Sequence, residues 1–191
     1  MLQKNDFPIS VILDPITGIF NPCPEIVQRH VSQLKNVFHD TQAVGKVLAN
    51  EDPLVYEFRF YPFITSKSDM ALGVTRIFPG KVGDEYHMTK GHLHERDDQP
   101  EIYYCVHGTG YLLLDTLQGE FEAIPWQPGV ISHIPPMWAH RVVNTGDDLM
   151  VFVASYSASA GHDYTAVEKK GFTKIVVEQD GHPTLIARNT K

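Results

Sequence analysis

Short apolar runs, cut about every ten residues by proline or glycine, set the narrowest limit on what this chain can fold into. Thirteen prolines and 14 glycines are spread along its 191 residues, and long helices tolerate neither well in their interiors. Alternating patterning predicts strands at Ile9–Leu13, Leu54–Tyr61, Ala71–Phe78, Glu85–Thr89, Glu101–Val106, Tyr111–Asp115, Glu120–Ile124, Val130–Ile134, Arg141–Asn144 and Leu149–Tyr156. Turn signals stand between them at Pro79-Gly80, Gly108-Thr109-Gly110, Gln118-Gly119, Pro128-Gly129 and Asn144-Thr145-Gly146. That rhythm predicts an all-β sandwich or barrel.

Two segments read as helical. Asp40 is a good N-cap, and Ala43, Val44, Val47 and Leu48 follow on one face until about Asn50, before Asp52-Pro53. Glu25–Phe38 also has helical spacing, through Ile26, Val27, Val31, Leu34 and Phe38. The chain divides into an N-terminal extension over 1–50, a barrel core over 51–156 and a C-terminal extension over 157–191. In the last, Lys174–Val177 and Thr184–Ala187 predict a hairpin around Asp180-Gly181. The length suits a single domain with modest extensions.

Composition removes several function classes. Sixteen Lys and Arg against 23 Asp and Glu give a net charge of −7 with no basic block, so nucleic-acid binding through clustered cations is not expected. No apolar run approaches the roughly 20 residues of a membrane helix, and no signal-peptide pattern opens the chain. Cys23 and Cys105 are the only cysteines, which implies neither a disulfide scaffold nor a thiolate zinc site. The expectation is a soluble, cytoplasmic, single-core protein.

The chemistry concentrates around His92-Leu93-His94, a six-residue gap, Glu101, and a distant His140 after Pro135-Pro136-Met137-Trp138-Ala139. In an extended segment residues i and i+2 share a face, so the two imidazoles project together. The charged gap reads as a reversal, after which Glu101 opens a strand antiparallel to the histidine pair. Three imidazoles and a carboxylate suit Fe, Mn, Ni, Co or Zn, with positions left for water or substrate. His30, His39, His87, His107, His133 and His182 read instead as surface or supporting groups.

These residues resemble the motifs of the cupin superfamily. His92, His94, Glu101 and Gly108 match the first motif, with a wider gap before the glutamate than is commonest. His140 and Asn144 match the end of the second, although Pro128 and Gly129 are adjacent rather than separated. The implied fold is a single cupin, a double-stranded β-helix or jelly-roll barrel with short terminal extensions. Thr89-Lys90-Gly91-His92-Leu93-His94, Glu101-Ile102-Tyr103, Pro135 through Arg141 and Ala160-Gly161-His162-Asp163-Tyr164 more closely resemble the cupin-type glucose-6-phosphate isomerases. That likeness runs from Asp52 to Val176.

The resemblance implies interconversion of glucose 6-phosphate and fructose 6-phosphate, a step of glycolysis and gluconeogenesis, in a homodimer. It implies one divalent metal ion per subunit, Fe2+ foremost, with Mn2+, Ni2+, Co2+ and Zn2+ also suited to His92, His94, Glu101 and His140. Glu101, Tyr103 and His162 are then the catalytic candidates. Tyr56, Thr75, Thr89, Gly91, Tyr156 and Tyr164 are the substrate-binding ones, with Lys90 expected to point away. Hydrogen passes between C1 and C2 either as a proton through a cis-enediol or as a metal-assisted hydride shift. Two other readings stand beside this one: a metal dioxygenase, because the same ligand set supports O2 chemistry, and a cupin that binds sugar phosphate without turnover. Mannose 6-phosphate is a further substrate to consider.

Overall fold

The computed structural model describes residues 8, 10–22, 25–61, 66 and 69–188. Strands β1 (Ile12–Leu13), β2 (Phe20–Asn21) and β3 (Glu25–His30) lead into helices α1 (Val31–Leu34) and α2 (Thr41–Leu48). Then follow β4 (Leu54–Tyr61), β5 (Met70–Ile77), β6 (Lys81–Val82), β7 (Glu85–Tyr86), β8 (Glu101–His107) and β9 (Gly110–Asp115). The chain continues through β10 (Phe121–Trp126), β11 (Ile131–Ile134), β12 (Ala139–Asn144) and β13 (Met150–Ser157). It closes with α3 (Thr165–Lys170), β14 (Lys174–Gln179) and β15 (His182–Ala187).

One wall of the barrel is a six-stranded antiparallel sheet ordered β11-β8-β13-β5-β4-β3. Facing it is a three-stranded sheet, β10-β9-β12. Bridges from Met88 to Val143 and from His92 to His140 extend that wall along β12, and β7 continues it to β14 through Glu85 and Val177. Alternation decides what points inward. Along β8, Glu101, Tyr103 and Cys105 are buried while Ile102 and Tyr104 are exposed, the period-two consequence of the pleat. All six residues of β12 are buried.

A single large cluster fills the space between the walls. It includes Leu112 and Val142 from one wall, Tyr103 and Phe152 from the other, and Phe172 and Val176 from the C-terminal segment. Tyr103, Trp126 and Phe152 pack ring to ring at 4.9–6.0 Å, and the Trp126 indole N–H donates to Ser132 Oγ at 2.9 Å. This buried donor is satisfied, so the aromatic cluster stabilises the barrel without a polar penalty. On the outer face of the large sheet, Phe20 of the β1–β2 hairpin is buried with Val74 and Val151.

The strand reading matches most of these elements, and the hairpin around Asp180-Gly181 forms as β14 and β15. Within Glu85–Thr89 only Glu85–Tyr86 is a strand, with Met88 adding an isolated bridge to Val143. Of Ile9–Leu13 only Ile12–Leu13 is a strand; Ile9 and Cys23 lie outside the described residues. Helix α2 starts where Asp40 caps it: its Oδ1 accepts from the Gln42 and Ala43 N–H groups at 2.8 and 3.0 Å.

Glu25–Phe38 is not one helix. Residues 25–30 form β3 on the edge of β4, registered from Glu25 opposite Phe60 to Arg29 opposite Tyr56. Only Val31–Leu34 is helical. Ile26 and Val27 are β-branched and fit a pleated edge, and the free edge of β4 supplies the ladder that a short isolated helix lacks. The six-residue helix α3 was not expected from patterning. It ends at Gly171, whose φ of +69° with a ψ of 175° is a conformation open to glycine.

Candidate metal centre and catalytic cavity

Pairing with β12 aims the two motif histidines. His92 and His140 sit directly opposite, His92 N–H donating to the His140 carbonyl at 3.3 Å and the reverse bond at 3.0 Å. Their rings meet edge to face, 4.2 Å between centroids. Glu101, however, is not on a strand neighbouring the histidine pair. His92 makes an isolated bridge to β12 and the intervening Leu93 one to Asp163, whereas Glu101 belongs to β8, between β11 and β13. The carboxylate therefore reaches the imidazoles across the gap between the walls. The order of non-local strand pairing decides this, and local alternation does not report it.

The four side chains converge: one ligand atom from each of His92, His94, Glu101 and His140 lies within 4.8 Å of the others. Backbone carbonyls fix the ring orientations. The Nδ1–H of His94 donates to the Gln99 carbonyl at 2.8 Å, and that of His140 to the Trp138 carbonyl at 3.0 Å. In the metal-ligating tautomer each ring keeps its proton on Nδ1 and offers Nε2 to the cluster. Burial lowers the His94 pKa, but the hydrogen bond between its Nε2 and Glu101 outweighs it and raises the value. Glu101 Oε2 lies 3.0 Å from His140 Nε2 and 3.3 Å from His94 Nε2.

The buried Nε2 atoms of His92 and His140 have no hydrogen-bond partner. For His140 the Glu101 oxygen 3.0 Å away does not complete a hydrogen bond. Buried nitrogens left without partners, facing a buried carboxylate, fit a divalent ion. Charge supports the same reading. Burial pushes the Glu101 carboxyl up, but the His140 and His94 imidazoles outweigh it and hold it below the usual range. Burial, reinforced by the neighbouring imidazoles, holds His92 well below its ordinary value, so it is neutral and able to ligate.

Beside the cluster is a cavity of about 250 Å³. Tyr56, Thr75, Thr89, Gly91, Tyr103, Tyr156, His162 and Tyr164 all stand on its wall, together with His92 and Glu101. Gly91 has a φ of +78°, and a Cβ there would stand 2.8 Å from the Phe172 ring and 3.1 Å from the His140 carbonyl, so only glycine fits this turn. The Thr89 hydroxyl oxygen accepts from Val142 N–H at 3.1 Å, leaving its proton for the cavity. Burial pushes the Tyr56 and Tyr156 phenols up to about 12 and that of Tyr103 well above the usual value. All three remain protonated donors.

His162 is held in place because Asp163 and Leu93 bond reciprocally, at 2.7 and 3.0 Å. Its ring lies 4.5 Å from His92 and stacks on Tyr164 at 6.2 Å. Burial, partly countered by Glu101, lowers its pKa. Lys90 does not point away: it lines the cavity, its Nζ lying 4.6 Å above the Tyr164 ring and 2.6 Å from Glu168 Oε1. Sequence reasoning missed Arg29, which lines the cavity from β3. The signal lay in Val27 and Arg29 sharing one face of a strand, and the helical reading of that segment hid it.

Gly108 and Asn144 serve the scaffold. A Cβ on Gly108 would stand 2.7 Å from Met150 Cα, and the Asn144 amide donates to the Ile77 and Asp148 carbonyls at 3.0 and 2.9 Å. Away from the cluster, the His30, His39 and His87 rings bond Asp52, Glu85 and Phe78 respectively.

Two facing antiparallel walls with three imidazoles and a glutamate converging between them define a cupin with a metal-binding centre. Its particular branch comes from comparison with known proteins. The glucose-6-phosphate isomerase (GPI) family model matches residues 28–190, and the chain belongs to that family. A glucose-6-phosphate isomerase of Thermococcus kodakarensis is 44% identical over 94% of each chain. One from Sinorhizobium medicae is 34% identical over 91% of this chain and 82% of its own. Among solved structures, a deletion mutant of Bacillus subtilis oxalate decarboxylase aligns with 56% of this chain at 21% identity and a TM-score of 0.46. This chain spans 27% of that one.

Proposed function

We propose that this chain is a metal-dependent aldose-ketose isomerase interconverting glucose 6-phosphate and fructose 6-phosphate in the cavity beside the His92, His94, Glu101 and His140 cluster. One observation carries the reading: a single cavity joins a fitting metal-ligand set to a neutral histidine, several protonated phenols and two cationic side chains. A divalent ion held by the four ligands would act as a Lewis acid toward the C1 and C2 oxygens of the substrate. The ligand set accepts several first-row ions, and we take Fe2+ first.

The chain's own groups do the rest. Arg29 and Lys90 offset the charge of the phosphate, and Tyr56, Thr75, Thr89 and the Gly91 backbone donate to its oxygens. Tyr103 and Tyr156 orient the sugar hydroxyls. The ionised Glu101 carboxylate and neutral His162 are the proton acceptors in the cavity, which favours transfer between C1 and C2 through a cis-enediol, with Glu101 at carbon and His162 at oxygen. Family resemblance supports a cytoplasmic homodimer; among the described residues no helix is long and apolar enough to cross a membrane.

The test is a coupled assay on fructose 6-phosphate with protein as isolated, chelated, and reloaded with each ion separately. Turnover abolished by chelation and restored by one ion is expected, with deuterium entering the product in D2O. Turnover without any deuterium would assign the direct hydride shift. A metal-replete protein that binds the substrate without converting it would replace the isomerase reading with a binding cupin.

A further inference from the structure

A second and larger cavity, of about 660 Å³, lies where the end of α3 meets β14, the chain between α1 and α2, and Arg188. It shares no lining residue with the catalytic cavity. Its walls carry three permanent cations, Lys169, Lys170 and Arg188. Among the described residues none of the three has a carboxylate within ion-pair distance. Three cations without acidic partners on the wall of one hollow, in a chain of net charge −7, favour an anionic occupant.

The acids nearby are already engaged. Glu168, also on the wall, is 2.6 Å from Lys90 Nζ. Glu85 Oε2 accepts from the His39 N–H at 2.7 Å and lies 3.0 Å from its ring, and Asp84 stands 3.6 Å from the far side of that ring. Asp115 Oδ2 accepts from the N–H and hydroxyl of Thr173 at 2.7 and 2.9 Å. The cations are also partly placed before any ligand arrives. Lys170 Nζ donates to the Leu117 carbonyl at 3.4 Å. The Arg188 guanidinium packs so closely on Gly171 that a Cβ there would stand 2.7 Å from Nη1.

We infer that this cavity is a second oxyanion site, separate from the catalytic one, which takes a small phosphorylated ligand between Lys169, Lys170 and Arg188. It is well placed to be felt at the catalytic cavity. Glu168 touches Lys90 on the catalytic wall, and α3 begins directly after Tyr164.

The test is calorimetric titration of the full-length, metal-loaded protein with inorganic phosphate. The variants are Arg29→Gln, which alters the catalytic cavity, and Lys169→Gln/Lys170→Gln/Arg188→Gln, which alters the second. Wild type is expected to bind two phosphates per chain. The first variant should retain the second site, and the triple variant should lose it or bind there at least tenfold more weakly. Should the triple variant unfold, the exposed Lys169→Gln change alone is expected to weaken the site several-fold. One phosphate per chain that disappears in Arg29→Gln would overturn the inference, as would two that persist unchanged when the three cations are removed.

Discussion

His162 holds no position in the four-residue ligand cluster, yet its ring is 4.5 Å from His92 and 5.3 Å from Tyr156. Burial keeps it neutral, and a neutral imidazole among substrate oxygens can take and return a proton. His162→Gln is expected to lower kcat by about a hundredfold or more while leaving metal content and melting temperature near wild type. Metal loss measured by elemental analysis would instead make His162 a support for the ligands. At this scale the sequence was most legible. Residues i and i+2 of an extended segment share a face whichever strand they pair with, so His92 and His94 were readable as a pair. The unpartnered Nε2 atoms and the carbonyl-fixed Nδ1 groups were not, because Gln99 and Trp138 carbonyls report their direction only after the loops fold.

Arg29 belongs to the scale of the element, since nothing but the docking of β3 on β4 brings it to the cavity. The strands with clean alternation, such as β8 and β11, could be read from sequence because burial of one face enforces the period. The six residues of β3 lie on an edge, with Ile26 nearly half exposed, and carry little such constraint. Their partner strand settled what local spacing left ambiguous. A charged hydrogen bond contributes about 1.5–3 kcal/mol. Arg29→Met should therefore raise the KM for fructose 6-phosphate roughly tenfold or more with kcat little changed. An unchanged KM in steady-state kinetics would remove Arg29 from the phosphate contacts.

The connection between α1 and α2 makes a second prediction at the same scale. His39 is anchored to buried Glu85, whose hydrogen bond raises the imidazole pKa against the opposing effect of burial, with Asp84 and Asp40 adding to the rise. A folded-state value above the unfolded one, about 6.5, means that this contact stabilises fully below that pH. The contribution fades as pH rises through the folded value. Melting temperatures of wild type and His39→Asn measured across that window should converge as pH increases. A constant gap would show that the ring contributes only as a neutral hydrogen-bond partner.

For the whole molecule, the question is what covers the outer face of the six-stranded sheet. The β1–β2 hairpin buries Phe20 against Val74 and Val151 at one part of that face. Farther toward the β11 edge, Ile102, Tyr104 and Ile131 are 42%, 40% and 67% exposed, and Ile131 is registered directly opposite Tyr104. Their outward position was readable from alternation along β8, but the neighbourhood they form was not, because β11 joins β8 across a long stretch of chain. An apolar strip along a sheet edge invites association, and two copies related by a twofold axis would cover each other's strip and close the assembly. Light scattering should therefore give twice the 21.5 kDa chain mass. Ile131→Glu combined with Tyr104→Glu, both on exposed side chains, should shift the protein toward monomer by at least tenfold in dissociation constant without lowering the melting temperature of the monomer. A dimer that resists both substitutions would put the contact on another face and leave this strip as ordinary exposed surface.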